Sequence, residues 1–274
     1  MPSFARLILF VFLAAIWPAP ASAQAEGLAL EYQDGLGNTM PYRLFVPPNY
    51  DPSRQYPLIL FLHGGDESGT DNLAQVSVHI EGLIAKTQTE GEYASFLVAP
   101  QTVWGWSAPP APGLVFGILD ELEAQYSVDE RREYVTGLSM GGFGTFELLA
   151  EQPDRFAAGV PLSAYNNLDV VPLIKDIPLW IIHGRNDNIV PVTYSRDIVA
   201  ALRAAGGDPL YSELIRGHGS WNRIYNGLDV PDLYPWLYSQ ALPVPEPSSV
   251  VLGLIALGGL WAAGTRRSGQ KQPS

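Results

Sequence analysis

The sequence contains no cysteine, and only 16 of its 274 residues are lysine or arginine, against 28 aspartates and glutamates. The absence of cysteine excludes disulfide bonds, a thiolate nucleophile, and zinc or iron–sulfur sites with cysteine ligands. The scarcity of basic residues gives a formal net charge of −12, which argues against nucleic acid as a partner because phosphate binding needs clustered lysine and arginine. The sequence also has no metal-ligand cluster and no phosphate-binding loop, so we predict no metal and no cofactor.

The first 23 residues have the three parts of a secretory signal peptide. Arg6 supplies the positive charge, an apolar stretch runs from Leu7 to Trp17, and small residues at 21–23 offer a site for signal peptidase before Gln24. A buried core helix is the alternative interpretation of this segment. The order of the three parts favours a signal peptide and therefore export of the rest of the chain.

The other end of the chain has an unusual order of features. Residues 243–249 are rich in proline, an uncharged apolar run covers 250–264, and Arg266 and Arg267 come after it. About 15 apolar residues are few for a membrane-spanning helix, which needs roughly 17–25. Basic residues after the run are typical of a cytoplasmic side. The folded part of the chain would then lie outside the cytoplasmic membrane.

This C-terminal segment, from Val244 to Arg267, resembles the PEP-CTERM sorting signal of Gram-negative bacteria. The resemblance implies processing by an exosortase. The alternative is a plain C-terminal membrane anchor through 250–264 behind a proline linker. Both interpretations predict a periplasmic, cell-surface or extracellular protein.

Residues 24–242 show no internal repeat, low-complexity linker or charge run, so we expect one domain there, followed by the tail 243–274. Short apolar runs alternate with segments of helical spacing. This alternation predicts an α/β fold with a mostly parallel sheet and helices on both faces. Ligands of such sheets bind beyond the carboxyl ends of the strands. The predicted strands are 40–46, 57–62, 96–99, 134–136, 157–162, 179–182 and 210–215, and the predicted helices are 114–126, 140–151 and 194–205.

A predicted strand precedes, and a predicted helix follows, the sequence Gly-Leu-Ser-Met-Gly at 137–141. Gly-x-Ser-x-Gly in this setting is typical of a sharp turn that holds the serine hydroxyl clear of the sheet. Glycine tolerates the close backbone approach that the turn requires at Gly137 and Gly141. The dipole at the N-terminus of the helix helps an anion to form. We therefore predict Ser139 as a nucleophile; the alternative is a structural glycine-rich turn.

A serine nucleophile needs a base, and the sequence has four histidines. Hydrolases built on a strand–turn–helix serine run in the order serine, acid, histidine, and only His183 and His218 follow Ser139. His218 stands between two glycines just past the predicted strand 210–215, where a compact loop could bring its imidazole to the serine. We expect His218 to be the base and His183 to pack at the end of its strand.

The acid of such a set follows the strand before the one that carries the histidine. Asp187 occupies that place, four residues after His183. A carboxylate there would accept the imidazole N–H, fix its tautomer and stabilise the imidazolium. Asp197 and Glu213 are the alternatives, and a helix cap or a solvated charge is the ordinary role of a single aspartate.

Two backbone N–H groups are needed to hold the negative charge that develops on the substrate. Met140, directly after the nucleophile, would supply one of them. The other should come from the loop that leaves the strand 57–62, where Gly65 or its neighbour Gly64 lets the backbone approach a substrate. In the same region we expect His63 to be structural and His79 to lie on the surface.

Four aromatic residues follow predicted strands and are candidates for substrate binding. Aromatic side chains in loops can stack on sugar rings or on an aromatic acyl group. The alternative for each is that it covers the edge of the core. The four candidates are Trp104, Trp106, Tyr165 and Trp221.

Taken together, His-Gly-Gly at 63–65, Gly-Leu-Ser-Met-Gly-Gly at 137–142, His-Gly-x-x-Asp at 183–187 and Gly-His-Gly at 217–219 resemble the α/β-hydrolase fold. Within it, residues 40–240 are similar to secreted esterases, a group that includes feruloyl and acetylxylan esterases, polyhydroxybutyrate-depolymerase-like proteins and predicted peptidases. The resemblance implies a serine ester hydrolase acting on polysaccharide-linked acyl groups or a polyester.

Two departures from the esterase pattern carry expectations of their own. The segment between Ala164 and Pro178 leaves room for a small lid or none, which suggests an open site. The cysteines of some secreted relatives are missing, which leaves stability to the core. The alternatives to an esterase are a serine peptidase with the same catalytic residues and an inactive scaffold that binds a surface matrix.

Overall fold

The computed structural model describes residues 27–165 and 167–244, and in these ranges the chain forms a sheet of eight strands. The strands are β1 (Leu28–Gln33), β2 (Thr39–Phe45), β3 (Tyr56–Leu62), β4 (Phe96–Pro100), β5 (Val128–Leu138), β6 (Ala158–Leu162), β7 (Trp180–Gly184) and β8 (Leu210–Leu214). Their order in the sheet is β1-β2-β4-β3-β5-β6-β7-β8. β2 pairs antiparallel with β1 and β4, and all the other pairs are parallel.

Helices pack against this sheet. Those in the described part are α1 (Ala74–Ser77), α2 (Glu81–Thr87), α3 (Ala111–Gln125), α4 (Met140–Glu151), α5 (Val171–Ile174), α6 (Thr193–Ala204), α7 (Trp221–Tyr225) and α8 (Leu233–Tyr238), with 3₁₀ turns at Gly65–Glu67 and Leu168–Val170. None of these helices has the length and hydropathy of a membrane-spanning segment. The predicted signal peptide, most of the proline-rich linker and the apolar run 250–264 lie outside the described residues. The division of the chain into three parts therefore stays a prediction.

The order of the strands decides where a site forms. From the central strand β3 the chain crosses to β4 on one side and then returns to β5 on the other side. Loops that leave neighbouring strands in opposite directions open a crevice at the carboxyl edge of the sheet. Every residue of β3 and β4 is buried, as expected for strands covered on both faces. The loops after β3, β4, β5, β6, β7 and β8 meet at this crevice.

The predicted elements are present, with shifted ends and with additions. β1 was not predicted, because its residues alternate between exposed and half-buried positions at the edge of the sheet and no fully apolar run marks it. β5 begins at Val128 rather than 134, because Val128 pairs with Tyr56 and Glu133 with Leu58, although the residues between them are polar and show no apolar run. The connection after β6 holds a 3₁₀ turn and the single-turn α5 among its described residues, in agreement with a small or absent lid.

Arg155 forms ion pairs with three carboxylates at the end of β5 that lies far from the crevice. Arg155 Nε donates to Glu133 Oε2 at 2.9 Å and Nη1 donates to Asp120 Oδ1 at 2.7 Å, while Nη2 pairs with Glu123. The Glu133 side chain is 1% exposed, and burial raises its pKa against the opposing effect of Arg155. Arg155 thus joins α3 and β5 to the segment that follows α4.

A second ionic cluster lies on the edge strand β8. Glu213 accepts hydrogen bonds from Arg196 on α6, from Arg185 after β7 and from Tyr211 in its own strand. The hydrogen bond from Arg196, aided by Arg185 and Tyr211, lowers the pKa of Glu213 to about 2. The outer edge of the sheet is therefore charged at neutral pH.

Candidate active site

Ser139 stands at the turn between β5 and α4. Its backbone has φ 55° and ψ −114°, a region that non-glycine residues rarely adopt, and its N–H donates to Leu162 O at 2.8 Å. A Cβ on Gly137 would overlap the Gly141 carbonyl, and a Cβ on Gly141 would overlap the carbonyl of Leu62. The glycines of the motif are thus required by the approach of three backbone segments, and the turn is the strained one that the sequence predicts.

Replacement of Gly141 by alanine is expected to lower the free energy of unfolding by about 1–3 kcal/mol or more, because the new methyl group has no space beside β3. Gly113→Ala is the matched control. Gly113 lies in the first turn of α3 with open space around it, and alanine there should raise stability by roughly 0.5–1 kcal/mol. Urea unfolding of both variants measures the contrast, and equal effects would contradict the close approach at Gly141.

The imidazole of His218 lies between Ser139 and Asp187. His218 Nδ1 is 2.6 Å from Asp187 Oδ2, and His218 Nε2 is 3.0 Å from Ser139 Oγ. A carboxylate only accepts hydrogen bonds, so Nδ1 carries the proton and donates to Asp187. Nε2 is then an acceptor and receives the hydrogen bond of the serine hydroxyl. The structure thus joins the three predicted residues in one chain of hydrogen bonds.

Asp187 is held rigidly for this contact. Its Oδ1 accepts the backbone N–H groups of Ile189 and Val190 at 2.9 and 2.8 Å, and its side chain is buried. The neighbouring His183 is also buried, with Nδ1 2.7 Å from Ser195 Oγ and Nε2 2.9 Å from Val190 O and 3.2 Å from Asp187 Oδ2. Burial lowers the pKa of His183, and a neutral ring accepts from Ser195 at Nδ1 and shares its Nε2–H between Val190 O and Asp187.

The alternative acids lie elsewhere. Glu213 belongs to the ionic cluster on β8, and Asp197 is exposed on α6. The His218 loop owes its position to Gly184, because a Cβ there would come within 2.6 Å of the carbonyls of Arg216 and Gly217. Close packing of the β7 and β8 loops therefore brings His218 to Asp187.

The loop after β3 is fixed by His63. The N–H of Thr102 donates to His63 Nε2 at 3.1 Å, so the ring proton lies on Nδ1 and is donated to Gly64 O at 2.6 Å. Burial lowers the pKa of His63 to about 4, which keeps the ring neutral. In a trans peptide the C=O and the next N–H point in opposite directions, so this hydrogen bond also sets the direction of the Gly65 N–H.

The surroundings of the two predicted N–H donors differ. A Cβ on Gly65 would meet no atom within 4 Å, whereas a Cβ on Gly64 would lie 2.6 Å from Leu138 Cδ1. Gly65 therefore borders open space, and Gly64 is packed against the end of β5. Met140 is the first residue of α4, where N–H groups have no acceptor within the helix.

The four aromatic candidates divide by burial. Trp104 is 51% exposed and Tyr165 is 38% exposed, and Tyr165 stacks on Phe143 with 4.2 Å between ring centroids. Trp106 fits the alternative role at the core and not that of a substrate contact: it is 1% exposed, its Nε1–H donates to His63 O at 3.0 Å, and it packs over Gly144. Trp106 therefore supports the loop after β3.

Trp221 is also buried, which again fits the alternative role at the edge of the core better than that of a ring that stacks on substrate. Its Nε1–H donates to Ser163 Oγ at 3.3 Å, and its ring meets that of His218 edge to face at 4.9 Å. His79 reaches the surface as expected, with its side chain 33% exposed, but it also makes contacts within the crevice. The His79 ring packs against Trp221 at 4.9 Å, and its Nε2 lies 3.7 Å from Glu67 Oε1.

Glu67 is a residue of the site that the sequence did not single out. It ends the 3₁₀ turn that begins at Gly65, and its carboxyl is buried beside Gly64. The signal in the sequence was only a glutamate soon after two glycines, which is typical of an exposed turn. Across residues 27–165 and 167–244 no group of histidine, aspartate and glutamate side chains is arranged to hold a metal ion.

The fold and the crevice define the class of protein. Superposition on a crystal structure described as a thermostable esterase gives a TM-score of 0.72 at 35% identity, over 80% of this chain and 64% of that one. A ferulic acid esterase superposes with a TM-score of 0.62 at 17% identity over 77% of this chain and 97% of that one, which speaks for the fold alone. The chain has the α/β-hydrolase fold.

Among curated proteins the chain is similar to esterases. It is 28% identical over 200 residues to the Probable feruloyl esterase C of Aspergillus terreus, covering 70% of this chain and 72% of that protein. It is 28% identical over 165 residues to the bifunctional acetylxylan esterase/xylanase XynS20E of Neocallimastix patriciarum, covering 58% of this chain and 23% of that enzyme. The chain thus spans less than two thirds of that enzyme and of the thermostable esterase.

The C-terminal segment matches the PEP-CTERM protein-sorting motif over residues 243–268. This match and the esterase relatives confirm both resemblances that the sequence motifs indicate. The sorting motif indicates export and association with the surface of a Gram-negative cell, and it implies processing by an exosortase.

Proposed function

We propose that this protein is an exported serine hydrolase that cleaves carboxylic esters with Ser139 as nucleophile, His218 as base and Asp187 as the orienting acid. The observation that carries the proposal is the chain of hydrogen bonds from Ser139 Oγ through His218 to Asp187. The esterase relatives support ester hydrolysis as the reaction.

Acylation follows from this geometry. Ser139 Oγ attacks the ester carbonyl as His218 Nε2 takes the hydroxyl proton, and Asp187 stabilises the imidazolium that results. The N–H groups of Met140 and Gly65 bind the oxyanion of the tetrahedral intermediate. The C–O bond then breaks, and the alcohol leaves with the proton that His218 holds.

Deacylation repeats the sequence with water as the attacking group. His218 takes a proton from water as it attacks the acyl carbonyl, and the same N–H groups stabilise the second oxyanion. Collapse of this intermediate releases the carboxylic acid, and the proton returns through His218 to Ser139. Neither half-reaction needs a cofactor.

We place substrate contacts at the exposed aromatic residues beside the nucleophile. Trp104 precedes Gly105, where a Cβ would lie 3.8 Å from Met140 Sδ, and Tyr165 stacks on Phe143 in the first turn of α4. Partly exposed rings on both sides of the start of α4 suit a flat acyl group or a sugar ring. This favours acyl groups linked to polysaccharide over a flexible aliphatic polyester.

A substrate panel tests the proposed function on the purified protein. The panel contains p-nitrophenyl acetate, its p-nitroanilide counterpart, feruloyl and longer acyl esters, a polyester and peptide amides. We expect kcat/KM for the acetate ester to exceed that for the anilide, and the aromatic acyl ester to be hydrolysed faster than the polyester.

Each alternative function has its own signature. Turnover of peptide amides well above that of esters would show that the protein is a serine peptidase and not an esterase. Fluorophosphonate labelling followed by peptide mass analysis identifies the nucleophile, and we expect the label on Ser139. A protein that binds glycans, takes no label and hydrolyses nothing would be a binding protein on a hydrolase scaffold.

A further inference from the structure

The Glu67 carboxyl lies in an unusual place. Its side chain is 7% exposed, and within the described part of the chain its Oε2 atom has no hydrogen-bond partner. Oε2 is 3.1 Å from the position that a Cβ of Gly64 would take, so the carboxyl packs against the backbone of the loop after β3. Buried carboxylate oxygens without partners are rare in native proteins and call for an explanation.

His79 connects this carboxyl to the other side of the crevice. Its Nε2 lies 3.7 Å from Glu67 Oε1, and its ring meets that of Trp221 edge to face. The backbone of His79 has φ 73°, in the left-handed region that is unfavourable for a residue with a Cβ. Strain of this kind persists where the surrounding contacts hold the residue in place, and it is concentrated at functional sites.

The contact between His79 and Trp221 is built by helix packing. A Cβ on Gly82 of α2 would lie 2.6 Å from the backbone N of Asn226, directly after α7, so the two helices approach as closely as glycine permits. His79 precedes α2 and Trp221 begins α7. The close approach therefore brings His79 against Trp221, which also meets the His218 ring at an interplanar angle of 78°.

We propose that Glu67, His79 and Trp221 are positioning residues that brace the Gly64–Gly65 loop and the His218 ring against each other. The three residues form an unbroken row of contacts from the backbone of that loop to the imidazole. The oxyanion donor and the base must keep a fixed separation while charge develops on both, and a rigid connection meets that need. This inference rests on the proposed function.

The test uses variants that keep shape and remove one contact each. Glu67→Gln is isosteric and uncharged, and His79→Phe keeps a ring against Trp221 but has no partner for the carboxyl. We expect each to lower kcat for p-nitrophenyl acetate on the order of 10- to 100-fold with KM unchanged. Because the two residues act through one contact, the double variant should lose no more than the larger single loss. Glu81→Gln, an exposed carboxylate at the start of α2, is the matched control and should behave as the wild type.

The thermal midpoint of each variant separates positioning from folding. A loss of kcat in a variant that melts with the wild type supports the inference. Loss in KM alone, losses that multiply in the double variant, or kcat within twofold of the wild type in both single variants would overturn it. If one variant does not fold, kcat of the other single variant decides whether the inference holds. Trp221→Phe is then the second variant whose kcat and thermal midpoint are measured.

A spectroscopic readout keeps this inference separate from the proposed function. The His218 Nδ1 proton, bonded to Asp187 at 2.6 Å, should give a far-downfield proton resonance that disappears in His218→Ala. Glu67→Gln and His79→Phe should shift or broaden this resonance, and Glu81→Gln should leave it unchanged. Absence of esterase activity in the wild type would contradict the proposed function. An unchanged resonance in Glu67→Gln and His79→Phe would contradict the positioning role of Glu67, His79 and Trp221.

Discussion

Ser139→Ala is expected to lower kcat/KM for p-nitrophenyl acetate by about four to six orders of magnitude, leaving only the rate that the oxyanion site and substrate binding supply. The alanine side chain has no atom that can bond to the acyl group, and water must then attack from a position that the site does not fix. The variant should fold normally, because the hydroxyl hydrogen bond that it loses is the one to His218. Initial rates at substrate concentrations well above the enzyme concentration, with more of the variant than of the wild type in the assay, give the comparison.

Ser53→Ala is the control for this experiment. Ser53 is exposed and precedes β3, so it lies at the opposite end of the parallel strands from the crevice. Its variant should hydrolyse the ester at the wild-type rate and take the fluorophosphonate label. A Ser139→Ala protein that retains the wild-type rate would mean that another residue is the nucleophile and that the proposed mechanism is wrong.

Arg155→Ala is expected to lower the free energy of unfolding by about 3–5 kcal/mol, because it leaves a buried carboxylate without its cation and removes the charge that separates Glu133 from Glu123 and Asp120. The loss should be smaller at about pH 5 than at about pH 8. Arg155 lowers the pKa of Glu133 against the effect of burial, so its removal raises that pKa further in the folded variant. The folded variant then holds, over a wider pH range than the wild type, a proton that the unfolded chain releases as the pH rises above 4.5, so its stability falls more steeply with rising pH.

Two further variants identify the cause of this loss. Adding Glu133→Gln to Arg155→Ala removes the buried carboxylate and should restore part of the stability and flatten its dependence on pH. Arg132→Ala breaks the more exposed pair with Asp129 and should cost less than about 1 kcal/mol. Denaturant unfolding at the two pH values measures all four proteins, and equal losses for Arg155→Ala and Arg132→Ala would contradict the role of burial.

The sequence predicted the fold and the three hydrogen-bonded residues because their constraints are local or ordered along the chain. The turn at Ser139 requires glycine at its flanking positions, so the glycines of the motif are visible in the sequence. A predicted strand before the motif and a predicted helix after it identify the turn as one between a strand and a helix. Asp187 and His218 were predicted as acid and base because each lies in the loop after a predicted strand, in the order along the chain that such hydrolases have. Their contact in the structure agrees with that expectation, while their catalytic roles stay a proposal.

Other features of the crevice depend on contacts between distant segments. Trp104 and Trp106 are separated by one glycine and look alike in sequence, yet only Trp106 meets the space that Gly144 opens on α4. The position of His79 depends on the close contact between Gly82 and the end of α7. No sequence pattern near His79 predicts that contact. Burial of this kind follows from tertiary packing and not from local periodicity.

The ionic cluster on β8 bears on how the protein behaves when it is crowded. An edge strand presents unpaired backbone groups that can join the sheet of a neighbouring molecule, and charged side chains at the edge oppose this. The sorting motif indicates association with a cell surface, where such edges of neighbouring copies would meet. Because the pKa of Glu213 is lowered to about 2, its carboxylate stays ionised even in mildly acidic surroundings. Glu213 and its partners Arg185 and Arg196 thus keep charge on this edge strand, and charge there opposes pairing with the sheet of a neighbouring molecule.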